Sequence, residues 1–128
     1  MIVIDASAVV AILLEEPGYE ALADRLRAAD DRVMSPVTAV EVVMALARRF
    51  SEPSVTADLY FRRSAIGIHP TDADQAYWAQ QAFLTFGKGR HPAKLNLGDC
   101  FSFAAAKSLN APLLYVGGDF AKTDIKTA

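Results

Sequence analysis

The sequence predicts an α/β fold with a largely parallel sheet covered on both faces, and three observations lead there. Short apolar segments at residues 2–4, 32–34, 66–68 and 113–116 alternate with longer stretches of helical pattern. The first of them, Ile2-Val3-Ile4, is apolar at every position, as a strand buried on both sides is and a half-solvated strand is not. The 128 residues contain no internal repeat, low-complexity segment or linker. The alternation therefore belongs to a single domain, residues 1–128.

The elements follow in order. Asp5 comes directly after the first strand, at its carboxyl end. A helix runs from Ser7 to about Glu16 and is broken by Pro17-Gly18. Residues 19–29 form an amphipathic helix with Tyr19, Leu22, Ala23 and Leu26 on one face. The strand Arg32–Met34 ends in Ser35-Pro36. A helix from about Val37 to Phe50 follows, with Val40, Val43, Met44, Ala47 and Phe50 as its core stripe. Residues 54–65 are helical, and Ile66–Ile68 is a third strand stopped by His69-Pro70. Thr71 or Asp72 caps a helix reaching Phe86. A polar loop, GKGRHPAKLN, leads to a helix from about Gly98 to Leu109. The fourth strand, Leu113–Val116, ends in the turn Gly117-Gly118-Asp119, and a short helix or strand closes the chain.

Composition narrows the function classes. One cysteine, Cys100, excludes an internal disulfide, and no Cys/His pattern has zinc spacing. Cys100 itself reads as a small core residue. The opening MIVIDASAVVAILLEE has no basic start, is interrupted by Asp5 and closes on Glu15-Glu16, so it does not read as an export signal. It is also too short to span a bilayer. The expectation is a soluble, cytoplasmic protein without a membrane partner. Hydrophobic residues make up 52% of the chain, a small surplus that suits a homodimer or a bound partner.

The formal charge of −2 argues at first against nucleic acid. Locally, however, Lys88, Arg90, His91 and Lys94 lie together without an acid, and Arg48-Arg49 and Arg62-Arg63 are further basic pairs. Lys88, Arg90 and Lys94 are candidate phosphate contacts, or else an ordinary solvated loop.

Each acid of interest has a plain structural reading. Asp5 can cap the next helix, in competition with Ser7. Glu41 stands among Val and Ala at the edge of its helix stripe, where Arg48 or Arg49 could pair with it. Asp99 suits the first turn of its helix, with Asn96 as cap. Asp119 suits a turn after two glycines. Asp124 has the least independent support.

The set says more than its members. Three acids lie at strand ends or element starts and one on a helix edge, and ligands of parallel sheets bind off the carboxyl ends of the strands. Such a sheet can bring all four together, and clustered carboxylates repel unless a cation sits between them. Mg²⁺ takes oxygen ligands and needs only a few carboxylates. If all four serve as ligands, the remaining charge becomes positive and attractive to phosphate.

Four segments carry a resemblance: MIVIDASAVVAILLEEP, TAVEVVMALARRF, FGKGRHPAKLNLGDCFSFAAAK and LLYVGGDFAKTDI. In this order, over nearly the whole chain, they resemble the PIN-domain toxins of bacterial VapBC toxin–antitoxin modules. The resemblance implies a three-layer α/β/α PIN sandwich and a metal-dependent endoribonuclease using Mg²⁺ or Mn²⁺. It implies that Asp5, Glu41, Asp99 and Asp119 form an acidic tetrad, with Ser7 and Asp124 as accessories. It also implies a homodimer and a VapB-like antitoxin that inserts a basic side chain into the acids. Ser102 and His91 are further polar candidates. Two other readings remain open: a non-catalytic partner-binding module, and another acid-cluster nuclease or phosphatase. A phosphatase of the aspartyl-phosphate type wants a second acid two residues after the first, where this chain has Ser7.

Overall fold

The first strand, β1 (Ile2–Ile4), lies inside a four-stranded sheet whose other members are β2 (Arg32–Met34), β3 (Ile66–Ile68) and β4 (Leu113–Leu114). The computed structural model describes all 128 residues. The strand order is β3-β2-β1-β4 and every pairing is parallel. The chain builds outward from β1 to β3, then returns to the other side of β1. This puts the topological switch between β1 and β4, where open parallel sheets place their ligands.

Successive strand residues face opposite sides, and the core divides accordingly. Val3 and Leu113 pack with Phe103, Ala104 and Phe120, on the side of α5 (Ala73–Phe86) and α6 (Leu97–Ser108). Ile2, Ile4, Met34 and Leu114 pack with Val9, Leu26, Val42, Leu46 and Ala57. Those come from α1 (Ala6–Leu13), α2 (Tyr19–Ala28), α3 (Pro36–Leu46) and α4 (Pro53–Arg63). The result is the expected three-layer α/β/α sandwich. No helix is long and apolar enough to cross a membrane.

Several boundaries and one face differ from expectation. Helix α1 stops at Leu13, because Glu15 adopts a left-handed φ of 50°. Helix α3 ends at Leu46 and not at Phe50. Its expected core stripe is only partly realised: Val43 and Phe50 pack against the core, but Val40 and Met44 are 59% and 66% exposed, while Thr38, Val42 and Leu46 are buried. The helix is apolar nearly all round, so periodicity could not choose its face.

The loop before α6 is not wholly polar. Gly87 bridges to Leu95, and Ala93 and Leu95 are buried. After β4, a short 3₁₀ turn (Phe120–Lys122) precedes a tail that pairs with Leu113 through Lys126 and Ala128. Cys100 is buried and unpaired, as expected of a core residue.

Candidate active site

Asp5 is held at the switch point from several directions. Its amide donates to the carbonyl of Leu114 on β4. Its carboxylate caps α1 by accepting from the Ser7 amide at 3.0 Å. Both oxygens also accept a hydroxyl: Oδ2 from Ser7 at 2.6 Å and Oδ1 from Ser102 at 2.6 Å. The Ser7 hydroxyl in turn accepts from the Val116 amide, tying the exit of β4 to the start of α1.

The structural reading of Asp5 is therefore correct, and it does not exhaust the residue. A cap needs one carboxylate contact, whereas Asp5 is a buried residue, 4% exposed, whose carboxylate is held at both oxygens.

The Ser102 hydroxyl also lies 3.0 Å from Thr38 Oγ1. Ser102 donates its one hydroxyl proton to Asp5 Oδ1, so Thr38 donates to Ser102. Thr38, Ser102 and Asp5 form a directed, buried chain joining α3, α6 and β1. Ser102 was a polar candidate from sequence, but Thr38 was not recognised. Its signal was a polar residue one turn before Glu41 in an otherwise Val- and Ala-rich helix.

Asp99 shares a capping box with Asn96. Asp99 Oδ2 accepts from the Asn96 amide at 3.0 Å, and Asn96 Oδ1 accepts from the Asp99 amide at 2.9 Å. The capping expectation thus holds here too. Glu41 reaches across from α3 and lays its carboxyl group against the backbone of Gly98, in the first turn of α6. The helix dipole there favours negative charge. Glu41 belongs to none of the chain's three ion pairs, so the pairing with Arg48 or Arg49 is not realised.

Electrostatics show that the four acids sense one another. Burial, then Asp5 and Asp99, raises the Glu41 pKa to about 7. Burial raises Asp99 to about 6, opposed by its Asn96 hydrogen bond and reinforced by Asp5 and Asp119. Burial and Asp99 push the Cys100 thiol up to about 11, leaving it inert as a nucleophile. Asp119 occupies the N-cap position of the 3₁₀ turn but makes no capping bond, so its carboxylate is uncommitted.

The fit to a cation follows from this donor set. It consists of carboxylates alone, Asp5 buried and Glu41, Asp99 and Asp119 half-buried, without a basic partner. No three acids, histidines or cysteines are already arranged to enclose an ion.

The remaining candidates lie elsewhere or do other work. Asp124 is ion-paired with Lys107 at 2.8 Å, in the last turn of α6, at the opposite end from Asp99. The Arg90 guanidinium lies over the Phe83 ring, and its Nε donates to the Leu84 carbonyl at 3.1 Å. Lys88 and Lys94 are exposed. His91 is structural, accepting from the Ala93 amide and packing edge-on against Phe86.

A cleft of about 430 Å³ beside Glu41 is walled by Val40, Met44 and Leu97. A larger apolar cleft, about 680 Å³, opens between α5 and α6 and contains none of the four acids.

Comparisons with known proteins identify the family and the fold. The family model of the PIN domain matches residues 2–126. The chain is 44% identical over 126 residues to ribonuclease VapC30 of Mycobacterium tuberculosis, covering 98% of this chain and 96% of that protein. It is 45% identical to ribonuclease VapC of Mycolicibacterium smegmatis, with 96% of each covered. Among solved structures, its backbone is similar to that of VapC20 of Mycobacterium tuberculosis, a sarcin–ricin-loop-cleaving toxin. The TM-score is 0.78 at 16% identity, covering 100% of this chain and 98% of that one. It is also similar to VapBC-1 from nontypeable Haemophilus influenzae, with a TM-score of 0.75 at 20% identity over 100% and 97% of the two chains. At such identities the structures speak for the fold.

Proposed function

The chain belongs to the PIN-domain family and, within it, to the VapC ribonucleases, and from that premise we propose that Asp5, Glu41, Asp99 and Asp119 hold the Mg²⁺ or Mn²⁺ with which it hydrolyses RNA. Its class is the endoribonuclease toxin of a toxin–antitoxin module. The observation that carries the metal reading is geometric: the Glu41 carboxyl group lies against the first turn of α6 that bears Asp99, and neither acid is paired with a protein cation. Burial and the neighbouring acids raise the pKa of both, and a divalent ion would relieve that strain.

Held by these acids, such an ion would supply Lewis-acid activation of a water and compensation of phosphate charge. The chain's own residues set the stage. Ser7 and Ser102 fix both oxygens of Asp5, and Thr38 fixes Ser102. Asn96 fixes Asp99. No protein nucleophile is required, in keeping with the raised thiol pKa of Cys100. Lys88, Arg90 and Lys94 are the proposed phosphate contacts of the RNA.

The proposal extends to partners. A VapB-like antitoxin would lay an apolar segment along Val40, Met44 and Leu97, all exposed beside Glu41, and direct a basic side chain at the acids. Tyr77, Phe83 and Leu84, exposed on α5, support a homodimer. The cytoplasm is the proposed compartment.

The test is cleavage of RNA by the wild type with Mg²⁺ or Mn²⁺, in excess EDTA, and as Asp5→Asn. The reading expects activity only in the first case. Undiminished cleavage in EDTA or by Asp5→Asn sinks it.

A further inference from the structure

Gly98 is a helical residue whose identity local conformation does not explain. It is the second residue of α6, following the Asn96 cap and Leu97. It has no positive φ, so an L side chain is conformationally acceptable there. Helix propensity favours alanine over glycine. The reason for glycine is therefore space.

What occupies that space is unusual. A Cβ built on Gly98 would lie 2.1 Å from Cδ, Oε1 and Oε2 of Glu41, and these are its three nearest atoms. Gly87 and Gly67 give two contrasts. At Gly87 the nearest atom is the Phe83 backbone carbonyl, at 2.4 Å, so that glycine protects main-chain packing. At Gly67 the nearest atoms are 3.8 Å away, an ordinary contact. Only at Gly98 would a Cβ first meet the mobile end of an acidic side chain.

We infer that Gly98 is a positioning residue for Glu41, leaving open the seat in which the Glu41 carboxylate rests on the first turn of α6 beside Asp99. The inference rests on the proposed role of the acid cluster and adds a residue to it that is neither acidic nor polar. A methyl group at position 98 forces the carboxylate to retreat from 2.1 Å to at least about 3.4 Å, the onset of ordinary contact. The backbone has no corresponding reason to move. Gly98→Ala should therefore spare the fold and disable the site, the reverse of a packing glycine.

The experiment is a double-mutant cycle on the whole chain: Gly98→Ala, Glu41→Asp, and the two combined, with Gly67→Ala as control. Three quantities are read: RNA cleavage with Mn²⁺, Mn²⁺ affinity by calorimetry in the absence of RNA, and the crystallographic position of residue 41. Gly98→Ala should melt at or above the wild-type temperature. Its cleavage and its Mn²⁺ affinity should each fall about tenfold or more, a range typical of lost support for metal ligands, with the Glu41 carboxyl group displaced.

The shorter acid in Glu41→Asp withdraws by one methylene and leaves room for the new methyl group, so the combined loss in the double variant should fall short of the product of the two single losses by at least fivefold. Such coupling identifies residues acting through contact.

Wild-type cleavage and Mn²⁺ binding in Gly98→Ala, with Glu41 still seated, overturn the inference. So does loss of folding in Gly98→Ala, or strictly multiplicative effects. Glu41→Gln separates this failure from that of the parent reading. If Glu41→Gln is impaired and Gly98→Ala is not, only the role of Gly98 falls. If Glu41→Gln cleaves and binds Mn²⁺ as the wild type does, the metal role of Glu41 falls, and the crystal structure of Gly98→Ala still reports whether the seat exists.

Discussion

The two ends of α6 each carry an acid brought near by the fold, and the acids are treated in opposite ways. Near the carboxyl end, Asp124 meets Lys107 in an ion pair of 2.8 Å and is 64% exposed. At the amino end, Asp99 is half-buried among Asp5, Glu41 and Asp119, and its pKa rises to about 6. One acid is neutralised by the protein, while the other is crowded with its own kind. Surface pairs such as Lys107–Asp124 contribute about 0–1 kcal/mol and explain themselves. An unrelieved cluster lowers the stability of the metal-free fold, which is what a site kept for a ligand costs.

The largest expected effect breaks this contrast directly. Asp99→Asn preserves the size of the side chain and an acceptor for the Asn96 amide, yet should reduce RNA cleavage by about 10²-fold or more, the scale of losing several kcal/mol of metal assistance. Asp124→Asn should stay within about threefold of wild type, as expected for a partner in a surface ion pair. Single-turnover cleavage rates at saturating Mn²⁺ give the comparison. Equal losses would place both acids in one site.

A smaller effect probes what holds Asp5. Thr38→Val removes only the hydroxyl that donates to Ser102. Cleavage should fall about tenfold, the lower range for a residue supporting a ligand. Ser102→Ala, which removes a bond to Asp5 itself, should cost more. If Thr38→Val proves the worse of the two, the relay is wrongly ordered.

The smallest effect concerns stability and pH. The folded pKa values of Glu41 and Asp99, about 7 and about 6, lie above their ordinary values of 4.5 and 3.8. Between these limits the native state holds more protons than the unfolded chain. Its stability therefore declines as pH rises from about 4 to about 7. In EDTA, Tm should be higher at pH 5 than at pH 8 by on the order of 3 °C, a modest figure because both groups are partly solvated. Glu41→Gln should flatten this slope and raise Tm at pH 8. A slope of opposite sign in scanning calorimetry contradicts the electrostatic picture.

Much of this site was legible in the chain because its acids occupy positions that local rules identify. Asp5 follows a fully apolar strand, Asp99 opens a helix three residues after Asn96, and Asp119 follows two glycines. A parallel sheet then gathers strand ends without further information. What stayed hidden depends on packing across elements. Helix α3 is apolar on nearly every side, so Val40 and Met44 were assigned to the core, and Thr38, which faces Ser102, was overlooked. Asp124 has the least support in the sequence, and its pairing with Lys107 depends on the tail folding back along α6. The seat at Gly98 exists only because α3 and α6 meet, and nothing in the local sequence of either helix announces it.

The most direct test of the central claim is calorimetric titration of Mn²⁺ into the RNA-free protein at pH 8, comparing wild type, Asp99→Asn and Asp124→Asn. Wild type and Asp124→Asn should bind with the same affinity, and Asp99→Asn should bind at least tenfold more weakly. Equal binding by all three, or none by the wild type, would contradict the assignment of a divalent-cation site to the crowded end of α6.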